Sequence, residues 1–344
     1  MASDKRPRKN RKYVFILAAC LIVAAAAIVG YNTLTGRIVH EESILYVKDR
    51  TTFDTVLDTL MDGRISNPNR FRTVAKAMKV QDTIKPGRYV LKKGMNAREL
   101  AGMLRSGNQT PLRITFNNIR TMPELAGRLG SQLMADSLEF LEALTSESTA
   151  SSYGFRKEEF IGMFIPDTYE VYWTVTPEAF IGRMNREYDK FWNQTRLNKL
   201  ARTGLTKKEV SSMAAIVDEE TVKVDEMPII AGVYINRIRK GMLLQADPTV
   251  KYAVGDFSIR RVLNKHLLAD SPYNTYMYKG LPPGPIRMPS PQALDAVLNY
   301  REHRYLYFCA KPDFSGYHAF AVDYNDHIKN ARAYSSALNR MGIK

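Results

Sequence analysis

Nineteen consecutive residues, 13–31, carry no charge, and no other feature of the chain restricts its folding as sharply. At about 1.5 Å per residue, a helix of this length is roughly 28 Å long, close to the hydrocarbon thickness of a bilayer. Lys5, Arg6, Arg8, Lys9, Arg11 and Lys12 precede the run against one acid, Asp4, and only Arg37 follows closely. That asymmetry puts the N-terminus, residues 1–12, in the cytoplasm and the bulk of the chain outside. A segment at 13–31 is therefore expected to be a single-pass transmembrane anchor, with the remainder folding beside the membrane.

Two other readings share part of the pattern. A cleaved signal peptide also starts basic and continues apolar, with Ala25-Ala26-Ala27 as the cleavage site. Leu17-Ala18-Ala19-Cys20 resembles a lipoprotein signal, in which Cys20 would become the lipidated terminus. The length of the run and the apolar character of residues 21–30 favour the uncleaved anchor.

The formal net charge is +15, and most of it lies beyond the tail. Such a balance favours anionic lipid, nucleic acid or an acidic polymer. No Lys or Arg run is interleaved with aromatics, and no helix-turn-helix or zinc-finger spacing occurs, so no nucleic acid is expected as a partner. The two cysteines, Cys20 and Cys309, are not expected to pair. Five scattered histidines, His303 and His318 among them, show no metal-ligand spacing. No metal and no cofactor is expected.

Residues 40–115 read as a small α+β module. Strands are expected at 43–47, 88–91 and 112–116, and helices from Thr51 or Thr52 to about 61, over about 69–79, and from Asn96 to Gly107. Gly87-Arg88-Tyr89-Val90-Leu91, Gly94-Met95, Leu100, Leu104 and Gly107 together resemble a LysM-type glycan-binding module. The alternative is a structural subdomain with no ligand of its own. Residues 116–200 are mostly helical by pattern, at about 122–132, 136–146 and 177–194. Phe164, Tyr169, Tyr172 and Trp173 cluster around Pro166-Asp167, either as core or as a face for sugar rings.

Residues 206–252 carry the chemistry. Thr206 followed by Glu209 is a capping box and predicts a helix start. At about 100° per residue, Val210, Met213, Ala214, Ile216 and Val217 form one apolar face. Glu220 falls on that face, Asp218 lies toward its edge, and Glu219 points to the opposite side. A carboxyl held against apolar surface has its pKa raised and can act as a general acid near neutral pH. The plain alternative is a half-exposed acid paired with a Lys or Arg. A second helix is expected from Asp225 to Gly241, with Pro228 in its first turn. The run 280–286, Gly-Leu-Pro-Pro-Gly-Pro-Ile, fixes a rigid loop, and 304–310 and 317–322 read as strands.

Ala-Ile-Val-Asp-Glu-Glu-Thr ending at Thr221, Val233-Tyr234-Ile235-Asn236-Arg237 and Leu244-Gln245-Ala246-Asp247-Pro248-Thr249 occur in order. Tyr273-Asn274-Thr275-Tyr276, Gly280 to Ile286 and His318-Ala319-Phe320 follow them. Together they resemble the MltG/YceG-like family, the endolytic murein transglycosylases, over roughly 40–340. The resemblance implies a bacterial enzyme of the inner membrane that cuts nascent peptidoglycan strands internally. It implies an α+β architecture, with an N-terminal transmembrane helix, a LysM-like module and a larger α+β catalytic domain at 116–344. Peptidoglycan strands, the membrane and cell-wall synthases are the implied partners. The family's catalytic glutamate precedes Thr in Glu-x-Glu-Thr, which here is Glu220. Two departures stand out: Asp218 replaces the first Glu of that motif, and Ala246 occupies a position usually polar.

The implied reaction is non-hydrolytic cleavage of the MurNAc-β-1,4-GlcNAc bond. Glu220 would protonate the glycosidic oxygen and then, as carboxylate, accept a proton from the muramyl C6 hydroxyl as a 1,6-anhydro ring closes. One carboxylate suffices, unlike the flanking pair of ordinary glycosidases. Gln245, Asp247, Asn274 and Tyr276 are the candidate substrate-binding walls. Each has a structural alternative, and Asp247 before Pro248 can simply set a turn. Two rivals remain: a hydrolase using Asp218 or Asp247 beside Glu220, and a non-catalytic peptidoglycan-binding scaffold of the cell-wall machinery.

Overall fold

Helix α1 (Lys9–Thr35) is apolar on every side, and its residues 12–35 are long and apolar enough to cross a membrane. None of that stretch is buried in the protein, as expected of a helix whose apolar surface faces something other than its own core. The computed structural model describes residues 9–341. The first eight positions of the expected cytoplasmic tail lie outside the described residues. The described residues divide into two compact units, one of residues up to 113 with Glu170–Thr174, the other of residues 114–169 with those from 175 onward.

In the first unit β1 (Ser43–Val47) and β2 (Gly87–Leu91) pair antiparallel, from Ser43 opposite Leu91 to Val47 opposite Gly87. Alternation along each strand turns Leu45, Val47, Tyr89 and Leu91 into the core. Between the strands lie α2 (Phe53–Met61), capped by Thr52, and α3 (Pro68–Ala77), capped by Asn67. Helix α4 (Ala97–Ser106) begins with a reciprocal capping box between Asn96 and Glu99 and ends at Gly107, whose φ of 72° suits a residue without Cβ. Phe53, Leu57, Phe71, Leu100 and Leu104 meet in the core. Trp173 packs against Tyr46, with centroids 4.9 Å apart, while Tyr172 is exposed.

Strands β3 (Leu112–Phe116) and β4 (Asp167–Val171) form a second two-stranded sheet. Within the second unit, Phe116 stacks on Tyr169 at 5.3 Å, and Phe164 is fully buried. These two members of the aromatic cluster are core. The helices expected over 122–132, 136–146 and 177–194 are α5 (Met122–Gly130), α6 (Ser137–Thr145) and α8 (Pro177–Phe191). Two more, α7 (Glu147–Ser152) and α9 (Gln194–Thr203), escaped the sequence reading. Helix α9 has only Thr203 buried. Tertiary contact holds it instead, with the Arg196 guanidinium donating to both Asp295 oxygens at 2.8 and 2.9 Å.

Helix α10 (Lys207–Glu220) is the axis of this unit. Thr206 and Glu209 make the expected capping box, and every residue from Val210 to Val217 is buried. Around it stand α11 (Met227–Arg239), α12 (Asp247–Val254), the short α13 (Asn264–Leu267) and α14 (Pro291–Leu298). Packing on several sides explains why even Ser211 and Ser212 are buried. Strands β5 (Tyr307–Ala310) and β6 (His318–Ala321) pair antiparallel, and α15 (Tyr324–Arg340) follows. Helix α11 sits tight against the segment leading into β5: a Cβ on Gly232 would collide with the Arg301 carbonyl. Asn236 donates to the carbonyls of His303 and Tyr305 at 2.8 and 3.1 Å. The α11 surface thus fixes where β5 stands.

Candidate active site

Three adjacent acids end α10, and each meets a different partner. Asp218 accepts from the Ser290 backbone N–H at 2.6 Å and from the Ser290 hydroxyl at 2.7 Å, which ties the start of α14 to α10. Glu219 accepts from Arg120 at 2.9 Å and Arg287 at 2.7 Å. The wheel put Glu219 opposite Glu220, and the structure fills that side with two arginines. Glu220 lines a cleft of about 360 Å³. Its Oε1 accepts from the Tyr234 hydroxyl at 2.6 Å.

The environment of Glu220 brings its titration up toward neutral pH. Loss of solvent raises its pKa to about 7, and nearby Asp247 pushes the same way. The Tyr234 hydrogen bond and Lys251 act against the rise. Near neutral pH the group is divided between carboxylic acid and carboxylate, as a group that donates and then accepts a proton requires. Burial and the neighbouring Glu220 carboxyl hold the Tyr234 hydroxyl well above the ordinary tyrosine range, so it remains a donor. Burial also raises the Asp218 carboxyl, but both its oxygens are engaged by Ser290.

The cleft gathers residues from distant parts of the chain. Gln245 and Asp247 come from the entry to α12, Tyr276 from the following loop, Tyr307 and Phe308 from β5, His318 from β6, and Tyr324 and His327 from α15. Asp247 is the first residue of α12, where the helix N-terminus favours a carboxylate. It accepts from the Tyr276 hydroxyl at 2.6 Å. Gln245 adopts a left-handed φ of 49°, and its N–H donates to the Thr275 carbonyl at 3.1 Å. The buried Thr249 and Thr275 hydroxyls lie 2.8 Å apart, and Thr275 accepts from the Ala246 N–H at 3.0 Å. This knot joins the Tyr276 loop to the start of α12. Ala246 enters it through its backbone alone, its N–H donating to Thr275 and its carbonyl accepting from the Thr249 hydroxyl at 2.7 Å.

Asn274 is not among the residues lining the cleft. It is fully buried, and its amide donates to the carbonyls of Leu267 and Ala269, both at 2.9 Å. Its Oδ1 accepts from the Tyr276 N–H at 3.1 Å. Asn274 therefore shapes the loop that presents Tyr276. Gln245, Asp247 and Tyr276 do share the cleft with Glu220.

Sequence reasoning missed several lining residues. Tyr234 and Arg237 stand out there only as parts of a motif, with no role in the site. A Tyr and an Arg three residues apart on one helix face one direction, which was the available signal. His318 reaches the cleft with its Nδ1 2.9 Å from the Glu226 carboxylate, which also accepts from the His318 N–H. Tyr307, Tyr324 and His327 arrive from late elements with no local mark. Among the described residues, no three His, Cys, Asp or Glu side chains gather as metal ligands would.

The YceG-like family model matches residues 45–333. An endolytic murein transglycosylase of Bacillus subtilis is 36% identical over 162 residues, covering 47% of this chain and 43% of that protein. Another, from Streptococcus pneumoniae, is 29% identical over 293 residues, covering 74% of this chain and 52% of its own length. The chain thus spans about half the length of the curated relatives it matches. The crystal structure of a YceG-like protein from Listeria monocytogenes superposes with a TM-score of 0.56 at 25% identity, covering 84% of this chain and 99% of that one.

Proposed function

The chain belongs to the YceG-like family, and on that premise we propose that it is a membrane-anchored endolytic lytic transglycosylase of peptidoglycan. The observation that carries the proposal is the Glu220 carboxyl. It is poised near pH 7 in a cleft walled by Tyr234, Tyr276, Tyr307 and Phe308. Protonated Glu220 gives its proton to the glycosidic oxygen as the muramyl C1–O bond breaks. The muramyl C6 hydroxyl attacks C1, and Glu220, now carboxylate, takes the hydroxyl proton. The 1,6-anhydro ring closes without water, and tethering of the C6 hydroxyl supplies its effective concentration.

In this reading Tyr234 steadies the carboxylate between the two proton transfers. Gln245, Asp247 and Tyr276 bind the sugar. The Asp247 carboxylate favours the positive charge that develops at C1. Asn274 acts on substrate only through the loop that carries Tyr276. Helix α1 anchors the enzyme with its N-terminus in the cytoplasm, and the residues around β2 and α4 form a LysM-like glycan-holding module. Cell-wall synthases are the natural neighbours of such an enzyme.

One observation favours a second reading. Asp247 is a second carboxylate in the same cleft, so a hydrolase with Glu220 as acid and Asp247 as base or nucleophile is the competitor. Asp218 is a poor partner, since Ser290 holds both its oxygens. Mass spectrometry of products from uncrosslinked strands separates the readings. Internal fragments ending in 1,6-anhydro-N-acetylmuramic acid are expected, and Glu220→Gln should lack them. Ordinary reducing ends would instead mean the hydrolase. Strand binding without cleavage would mean a scaffold.

A further inference from the structure

The cleft touches four consecutive residues of β5, Tyr307, Phe308, Cys309 and Ala310, all of them half-buried. Side chains along a strand alternate between its two faces, so a cleft that meets four in a row runs along the strand's edge. β6 occupies one edge, with Phe308 opposite Phe320 and Ala310 opposite His318, and the cleft lies along the other. The Lys311 N–H donates to the Tyr317 carbonyl at 2.8 Å. Antiparallel alternation from that bond turns the N–H and C=O of Cys309 toward β6, and those of Phe308 and Ala310 away from it. Helix α15 meets β5 through a face, His327 stacking on Tyr307 at 5.3 Å. Just before the strand, the Leu306 carbonyl accepts from Arg237 Nε at 2.6 Å. The outward backbone groups of Phe308 and Ala310 have no such partner among the described residues.

An unpaired strand edge is a template for another extended chain. One amino-acid residue lying opposite Cys309 and running parallel to β5 would present its own N–H to the Phe308 carbonyl and its own C=O to the Ala310 N–H. A single acetamido group cannot make both bonds, because its N–H and C=O point in opposite directions. The match needs two consecutive amides. Within a peptidoglycan strand the muramyl residue carries them, since its C3 lactyl group is joined by an amide to the first residue of the stem peptide. The edge also begins beside the reacting centre. The Phe308 ring packs edge-on against Tyr234 at 6.0 Å, and Tyr234 holds the Glu220 carboxyl.

Resting on the transglycosylase reading, we infer that the free edge of β5 docks the stem peptide of the muramyl residue whose C1 faces Glu220. The lactyl amide N–H donates to the Phe308 carbonyl, and the carbonyl of the first peptide residue accepts from the Ala310 N–H. The pairing fixes which of the two alternating sugars presents its C1 to Glu220, and it makes strands stripped of their peptides poorer ligands. It adds a specificity determinant, with no part in the proton transfers.

The test is binding to the full chain in detergent, carrying Glu220→Gln so that ligand survives. The probes are two MurNAc–GlcNAc tetrasaccharides, one with a tripeptide stem on each lactyl group and one with a methylamide there. The methylamide keeps the lactyl amide N–H and lacks the next carbonyl. The added hydrogen bond is expected to make the tripeptide compound bind about five- to tenfold tighter. Adding Ala310→Pro removes the outward N–H and spares the ladder to β6, because an edge strand accepts proline where the N–H faces away from its partner. It should cost the tripeptide compound most of its advantage and leave the methylamide unchanged. Equal binding of the two probes without Ala310→Pro, or an advantage undiminished by it, would overturn the docking edge while leaving the transglycosylase reading intact. Binding of neither probe would overturn both. If Ala310→Pro does not fold, a tripeptide compound methylated on its lactyl amide nitrogens replaces it. That compound is expected to bind no better than the methylamide, and binding equal to the unmethylated tripeptide counts against the proposal.

Discussion

The Tyr234 hydroxyl donates to Glu220 Oε1 at 2.6 Å, from one helix to the end of another. This one bond holds in place the carboxyl that does the proposed chemistry, and it opposes the desolvation that raises its pKa. Tyr234→Phe removes that opposition. The Glu220 pKa is then expected to rise above about 7, and the alkaline limb of the pH–kcat/KM profile to move the same way. The carboxylate also loses a stabilising partner, so kcat should fall about tenfold, in line with a hydrogen bond to a charged group. An unmoved alkaline limb would show that another group titrates there.

Glu220→Gln is expected to abolish cleavage, by at least about a thousand-fold for loss of the general acid, and to stabilise the protein at alkaline pH. The sign follows from linkage. Below about pH 4.5 the folded and unfolded states both hold the proton. Between 4.5 and about 7 the folded state keeps a proton that the unfolded state has released, so stability declines as pH rises. Above about 7 the loss levels off at on the order of 3 kcal/mol. Glutamine has no such dependence, so the gain of the variant should be greatest above pH 8 and absent at pH 4. Denaturant midpoints of both proteins across that range provide the measurement.

Why Glu220 was legible and Tyr234 was not is a matter of period. Residues 210–217 alternate apolar and small side chains over two turns, and the 3.6-residue repeat carries the apolar stripe straight to position 220. Tyr234 sits among Ile230, Val233 and Ile235, where any tyrosine reads as core, and most of its ring is indeed buried. Arg237, between Ile235 and Ile238, reads as a surface charge until the carbonyls of Leu244 and Leu306 are seen around it. The far wall of the cleft, Tyr307, His318, Tyr324 and His327, lies roughly ninety residues downstream, and only tertiary structure brings it back. Asn274 shows the reverse. An amide beside Tyr276 suggested a ligand contact, whereas its hydrogen bonds close a loop.

Asn274→Ala tests that reassignment. It leaves the Leu267 and Ala269 carbonyls without their donor inside a packed loop, and a loss of roughly 1–3 kcal/mol of stability is expected. Catalysis should suffer mainly in KM, since Tyr276 is displaced while Glu220 and Tyr234 stay in place. A normal melting temperature with a large fall in kcat would put Asn274 in contact with the reacting sugar after all.

Glu219 is the middle of the three acids, and its substitution separates position along the chain from role. It lies next to Glu220, yet Arg120 and Arg287 both donate to it, and the Glu219 and Arg287 side chains are 18% and 11% exposed. Glu219→Gln leaves two guanidinium groups facing a neutral amide, one of them in a largely dry site. Destabilisation of roughly 2–4 kcal/mol is expected, slightly below the range for breaking a fully buried pair because Arg120 retains solvent. The remaining folded enzyme should keep its pH profile near neutrality, because Glu219 is the smallest of the influences on Glu220. Melting curves and a pH–rate profile measured below the lowered transition decide it. A shift of the profile by a full pH unit with unchanged stability would assign Glu219 to the chemistry instead of to the scaffold.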